Sequence, residues 1–242
     1  MTLDEILGSL FPAGHSVSRG AHGTINGTGR LEGFGEIALV GIVDHTPLSV
    51  DGAILLSGSV LDVVKKGGET PILVLVDTAS QNMTRRDELL GLNEYLGHLA
   101  KSLLLAAASG HRTIGVLYGH AAAGALISTA LATQYLAALP GAEPSVMDLP
   151  SISRVTKLSL DKLQELAKST PVFAPGLDPI FAVGAVTAKW DAKQPLSGQL
   201  AAVLRSPANS SDERGKLGLE RKGRMLAAQI ANQVEKKALA RA

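Results

Sequence analysis

The stretch "RTIGVLYGHAAAGALIS", Arg112 to Ser128, decides the fold. Thr113 to Leu117 is an apolar run of the kind found in strands buried on both faces. It empties into Gly119 to Ala125, where six of seven residues are Gly or Ala. A surface loop draws on Asn, Asp, Ser and Pro, whose side chains build local turns. Here almost no side chains are present to do so. A strand that ends in Gly-x-x-x-x-Gly-Ala and enters a helix leaves backbone N–H groups uncovered at the helix N-terminus, where an anion can be received.

Two nucleotide motifs fail on these residues. The spacing Gly119 to Gly124 opens like a P-loop, but Ala125 and Leu126 stand where Lys and Ser/Thr are required. The Gly-x-Gly-x-x-Gly of a dinucleotide fold is absent as well. Two readings remain. Gly124 and Ala125 present amides to an oxygen that gains charge during a reaction, a contact whose loss costs about 2.7–4 kcal/mol of barrier. Alternatively, the small residues only let a helix pack closely on a sheet.

Outward from this stretch, the pattern alternates. "GTGRLEGFGEIALVGIVD" reads as β structure punctuated by Gly, "AILLSGSVLDVVKKG" as a helix, and "TPILVLVDT" as a second buried strand. "TRRDELLGLNEYLGHLAKSLLLAAASGH" reads as one long helix capped by Thr84 and Asp87, with Leu89, Leu92, Leu96, Leu99 and Leu103 on one face and Gly110 closing it. After the tiny-residue turn, "ALISTALATQYLAAL" is expected to be helical. "PSVMD" carries a β signal, Ser159 caps a helix over "SLDKLQELAKS", and "PIFAVGAVTAKW" reads as a late strand-turn-strand. The first residues form a short helix through Leu3, Ile6, Leu7 and Leu10. The tail from Ser211 is one amphipathic, locally basic helix. Strand and helix in alternation, with crossovers long enough to reach a parallel neighbour, imply an α/β domain.

Composition narrows the function. The 242 residues contain no cysteine, which excludes disulfides, iron–sulfur clusters and thiolate zinc sites. Aromatics are 3% and the net charge is +1, a poor basis for nucleic-acid binding. "MTLDEILGSLFPAGHS" lacks the basic and apolar regions of a secretory signal, and no apolar run approaches membrane-spanning length, so a cytoplasmic protein is expected.

A second element resembles the first. "VDTASQ", Val76 to Gln81, is another strand ending in small residues before a helix. Asp-Thr-small-small, an Arg/Glu-bearing helix, "TIGVLYGHAAAGALIS" and then "PSVMD" together resemble the crotonase superfamily. Upstream, "GTGRLEGFGEIALVGIVDHTPLSVDGAILLS" is similar to the carboxyltransferase half of acyl-CoA carboxylases that handles the carboxyl carrier, and "DPIFAVGAVTAKWD" matches its late part. Within that group, "VDTASQNMTRRDELLGLNEYLGHLAKS", "ALPGAEPSVMDLPSISRVTKL" and "STPVFAPGLDPIFAVGAV" are similar to the gamma-subunit family of biotin-independent malonate decarboxylases. The resemblance implies a crotonase-like ββα superhelix of the carboxyltransferase type over residues 24–205. Residues 1–23 are then an N-terminal extension, and residues 206–242 a C-terminal amphipathic helix packed on the domain or a partner.

The same resemblance implies a function: loss of carbon dioxide from a malonyl thioester on an acyl carrier protein, giving the acetyl thioester. The expected partners are a homologous beta decarboxylase subunit, the acyl carrier protein and a malonyl/acetyl transferase subunit. No biotin, metal or other cofactor is expected on this chain; the substrate arrives on the carrier's CoA-derived thioester arm. By resemblance, Gly124 and Ala125 are amide donors at one loop and Ala79 and Ser80 at the other, serving either the enolate oxygen or, with the beta subunit holding the enolate, the departing carboxylate. Relatives carry Pro-Gly where this chain has Ala79–Ser80, a departure that retains both N–H groups and favours a decarboxylase needing no biotin. Gly119, Ala121, Ala122, Ala123, Gln81 and Arg85 are expected around the substrate. His120 is a candidate to protonate or orient it. Arg85 or Arg86 can bind a carboxylate or phosphate, or form a solvated first turn. Tyr118 reads as core. His15 and His22 lack companions at metal-ligand spacing. Arg221 and Lys222 are candidates for docking an acidic carrier, against a face that packs on the partner. Two rival functions are a carboxyltransferase subunit passing the carboxyl to biotin and a silent scaffold. A hydratase is disfavoured because neither turn holds a Glu.

Overall fold

The computed structural model describes residues 1–171, 174–207 and 211–240. Helix α1 (Leu3–Leu10) begins at a reciprocal capping box: Glu5 N donates to Thr2 Oγ1, and Thr2 N to Glu5 Oε2. It buries Leu3, Ile6, Leu7 and Leu10. Strands β1 (His15–Arg19), β2 (Thr24–Leu31) and β3 (Gly35–Ile42) follow as an antiparallel meander. Ser49 caps α2 (Val50–Lys66), which returns the chain to β4 (Ile72–Val76), parallel to β3. Next come α3 (Arg85–Leu89), α4 (Leu92–Ala108) and β5 (Thr113–Leu117), parallel to β4.

Beyond β5 lie β6 (His120–Ala122), α5 (Ala123–Ser128), β7 (Tyr135–Ala138) and β8 (Glu143–Ser145). Then come α6 (Leu149–Thr156), α7 (Leu160–Ser169), α8 (Leu177–Ala182), β9 (Ala188–Lys189), α9 (Leu196–Arg205), α10 (Arg214–Glu220) and α11 (Met225–Leu239). Nine strands form two sheets among the described residues: β1-β2-β3-β4-β5-β7-β9, and the small pair β6-β8.

Alternation along the central strands splits the core into two layers. Ile72, Val74 and Val76 pack with Leu56 and Val60 of α2 and Leu99 and Leu103 of α4. Leu73 and Leu75 face the opposite way, toward α1 and Leu196 and Leu200 of α9. Residues 1–23 therefore contribute to the same core, with β1 as the edge strand of the large sheet. Ile42, Val76, Leu117 and Ala138 are register partners in succession, so the parallel strands end flush. Loops leaving them share one edge, the usual position for ligands in such sheets.

Several local expectations need correction. The long helix after Thr84 is two helices, because Gly91 adopts a left-handed conformation with φ 79°. Leu89 consequently leaves the apolar face and is 77% exposed. Thr84 does cap, accepting from Asp87 N, but the Asp87 carboxylate does not accept from the Thr84 backbone N–H as a capping box requires. It accepts instead from Val50 N, Asn82 Nδ2 and the Thr84 hydroxyl, tying α3 to the start of α2. The helix after the tiny-residue turn stops at Ser128, where Thr129 Oγ1 bonds back to Ala125 O at 2.6 Å; Tyr135–Ala138 is a strand because β5 needs a parallel neighbour. In "PIFAVGAVTAKW", the first four residues belong to helix Leu177–Ala182 and the strand Ala188–Lys189 alone pairs in the sheet. The tail is two helices, α10 and α11. Ser159 caps α7 as expected.

Candidate active site

Three loops meet at the flush strand ends, and Asp77 joins them. Its Oδ2 accepts from the backbone N–H of His45 at 3.1 Å in the loop after β3, and its Oδ1 from that of His120 at 3.0 Å after β5. Thr78 is fully buried and completes the tie. Its N–H donates to His120 O at 2.7 Å and its hydroxyl to Thr46 O at 2.6 Å. Leu48 N donates to Ser80 O and Asn82 N to Leu48 O, both at 2.8 Å, closing the first loop against the second. Gly119 is required by this arrangement. A Cβ there would lie 2.2 Å from Asp77 Oδ1 and 2.4 Å from its Cγ. Gly119 therefore makes room for a carboxylate of the chain itself.

The amides expected as donors fall into two groups. Gly124 N–H is engaged, donating to Gln81 Oε1 at 2.8 Å, so it is not an open donor in this arrangement. Gln81, expected beside the substrate, acts here as the cap of α5, whose own N-cap residue Ala122 offers no side-chain acceptor. A side chain at position 124 would crowd Leu96 Cδ1 at 3.0 Å, which satisfies the close-packing reading of this glycine. Ala123 enters α5 at φ 50°, a strained value for a residue with a Cβ. Ala121 and Ala125 are completely buried, while Ala122, Ala123 and Gly124 remain partly accessible, so Ala121 belongs to the core and does not line the cleft. In the first loop, the N–H groups of Ala79 and Ser80 meet no acceptor among the described residues. Ser80 instead donates its hydroxyl to Gln81 O.

A pair of histidines stands beside these amides. The His120 and His45 rings contact edge to face, centroids 4.4 Å apart and planes at 74°. His120 Nδ1 lies 3.3 Å from Glu143 Oε2, and His45 Nδ1 3.9 Å from Asp77 Oδ1. Sequence reasoning found His120 but missed His45, Asp77 and Glu143. The available signal was position: "VDHT" and "VDT" both leave β strands at one edge, while Glu143 becomes visible only once β6 pairs with β8.

The remaining candidates have other surroundings. Arg85 is exposed and makes no ion pair among the described residues, whereas Arg86 forks onto Asp51 at 2.7 and 3.2 Å. The Arg86 hydrogen bonds hold the Asp51 carboxyl below its ordinary range. Burial, reinforced by Asp77 and Asp44, pushes the Tyr118 hydroxyl far above its ordinary value, so it stays protonated. Among the described residues no group of three or more His, Asp or Glu is placed to hold a metal ion. Arg221 is anchored within the chain. Its guanidinium donates to the carbonyls of Phe181, Val186 and Thr187 and stacks 3.7 Å over the Phe181 ring, so its donors are engaged inside the chain. Lys222 stays exposed.

A mixed sheet with parallel centre, a separate two-stranded sheet beside it and small-residue turns at the common strand edge define an α/β protein of the crotonase fold, in the carboxyltransferase form. The backbone matches a crystal structure of a Pseudomonas malonate decarboxylase hetero-tetramer in complex with coenzyme A, with TM-score 0.77 and 21% identity, over 96% of this chain and 98% of that one. A Pseudomonas malonate decarboxylase MdcD-MdcE hetero-dimer matches with TM-score 0.75 and 20% identity, over 97% and 98%. The transcarboxylase 12S matches with TM-score 0.66 and 15% identity, over 86% and 42%. Residues 43–238 match the sequence model of the malonate decarboxylase gamma subunit, and the chain belongs to that family. A curated relative, malonyl-S-ACP:biotin-protein carboxyltransferase MADD of Malonomonas rubra, is 30% identical over 192 residues. That match takes in 72% of this chain and 65% of the relative, so the chain spans less than two thirds of the relative's length. No helix among the described residues is long and apolar enough to cross a membrane.

Proposed function

We propose that this chain is the gamma subunit of a malonate decarboxylase, releasing carbon dioxide from a malonyl thioester on an acyl carrier protein in a site shared with a homologous beta subunit. The observation that carries the reading is the uncapped Ala79–Ser80 turn, held by Asp77 and Thr78 beside the histidine pair. Decarboxylation leaves an enolate whose charge sits mainly on the former thioester oxygen. Amides oriented in advance stabilise that oxygen more in the transition state than in the ground state, which is the condition for acceleration. The Ala79 and Ser80 amides take this role, while Gly124 becomes available only if Gln81 swings away. The acyl carrier protein, the beta subunit and a malonyl/acetyl transferase are the proposed partners, and no biotin is needed.

The likeness to the Malonomonas rubra carboxyltransferase favours a second reading, transfer of the carboxyl to biotin on a separate carrier. One experiment separates them: malonyl-thioester decarboxylation by the chain co-expressed with a beta subunit, with and without avidin, comparing wild type with Ser80→Pro. Proline removes the amide proton, and gel filtration checks assembly. Loss of carbon dioxide release in an assembled Ser80→Pro complex, with no effect of avidin, is the expected result. Inhibition of wild type by avidin selects the biotin reading. Full activity of the variant makes the turn a packing device and this subunit a scaffold.

A further inference from the structure

We propose that His120 is the acid that protonates the carbanion left by decarboxylation, with Glu143 and His45 positioning its ring; this rests on the decarboxylase reading above. The backbone of His120 is pinned at both ends of its peptide units, N–H to Asp77 and carbonyl to Thr78, which ties its turn to the Asp77–Thr78 start of the other. His120 and Glu143 are register partners in the β6-β8 pair, which places the carboxylate on Nδ1 at 3.3 Å. Glu143 thus approaches the Nδ1 side of the ring and leaves Nε2 as the nitrogen available to a substrate. Nε2 has no partner among the described residues, and the side chain is 52% exposed, open both to substrate and to water that reloads it. The His45 ring packs against that of His120, centroids 4.4 Å apart.

Other groups near the turns are unsuited to the task. Asp77 uses both oxygens on backbone amides. Tyr118 is held protonated by burial. A guanidinium such as that of Arg85 does not release its proton in proteins. His120 lies on the tiny-residue loop itself, and its position is too exposed for packing to explain the ring.

The step balances as follows. The bond between the methylene carbon and the carboxyl group breaks, carbon dioxide leaves, and the electron pair passes into the enolate. That pair then forms a C–H bond with the proton on Nε2 of protonated His120, giving the acetyl thioester and a neutral imidazole, which regains a proton from water.

Run in reverse without carbon dioxide, the same acid–base pair exchanges the methyl protons of acetyl-carrier protein with deuterated water. The test measures this exchange by mass spectrometry, alongside malonyl-thioester decarboxylation, in the complex with the beta subunit. In His120→Gln, exchange and kcat fall together by about 10²–10⁴-fold. KM stays within about twofold, because the lost contact acts after binding. Glu143→Gln lowers both rates in the same proportion, by about tenfold or less, as expected of a positioning residue. In His120→Gly, imidazole added to the solution restores exchange, a rescue that a purely structural role does not give. An assembled His120→Gln complex that exchanges at the wild-type rate overturns the proposal while leaving the decarboxylase reading intact. Failure of rescue in an assembled His120→Gly complex also overturns it. A wild-type complex that releases no carbon dioxide removes the decarboxylase reading and this inference with it.

Discussion

Substituting Gly119 by Ala, alone and combined with Asp77→Ala, tests the central geometric claim about the site. In the folded chain the Asp77 carboxylate accepts from two backbone amides, at 3.0 and 3.1 Å. A hydrogen bond to a charged acceptor contributes about 1.5–3 kcal/mol, so losing both gives about 3–6 kcal/mol as an upper figure. His45 and His120 are exposed, and water recovers part of the loss, leaving about 2–4 kcal/mol for Asp77→Ala. A Cβ on Gly119 would stand 2.2 Å from Oδ1 and must expel the same carboxylate, so Gly119→Ala breaks the same two bonds and costs about as much. In the double variant those bonds are lost only once. Of the three close approaches, just the one to Asp77 Cβ at 2.9 Å persists. The coupling is therefore about 2–3 kcal/mol, at the upper end for residues in contact. Urea unfolding of the four chains, with m values compared, measures it. Costs that add to within about 0.5 kcal/mol refute the idea that Gly119 serves the Asp77 tie.

Ala123→Gly removes the Cβ at φ 50° and stabilises the chain by about 0.5–1 kcal/mol, read from the same unfolding curves. Asp87 is held below the ordinary carboxylate range first by the Thr84 hydroxyl and further by Val50 N–H, against the opposing effect of burial. Its folded-state value being lowered, its stabilisation is present above the unfolded value of about 3.9 and lost as pH falls through the folded one. The stability of Asp87→Asn should accordingly fall less steeply than wild type in acid, while being lower at neutral pH. Arg221→Met breaks three bonds to carbonyls and the stack on Phe181, costing about 2–4 kcal/mol, whereas Lys222→Met changes stability by about 0.5 kcal/mol or less; thermal unfolding distinguishes them.

Much of the frame was legible in the residues because its signals are local. An unbroken run such as Ile72–Val76 must be buried on both faces, and Ser159 or Thr84 before a helix supplies an acceptor within three residues. Where the reading failed, a distant partner overrode the local pattern. Tyr135–Ala138 continues a helical spacing, yet pairing with β5 satisfies its backbone in a strand. Arg221 reads as a surface charge, yet carbonyls 34 to 40 residues away take up its donors.

The amino-acid sequence by itself determined the alternation of strand and helix, the two small-residue turns and the resemblance that led to the family, since each depends on neighbours a few residues apart. Tertiary structure alone decided which amides are open and which side chains meet. Gly124 N–H is occupied by a carboxamide 43 residues earlier, and His45, Asp77, His120 and Glu143 converge only because parallel strands end flush and β6 pairs with β8. The physical reason is that a hydrogen bond is a short-range interaction in space, indifferent to distance along the chain.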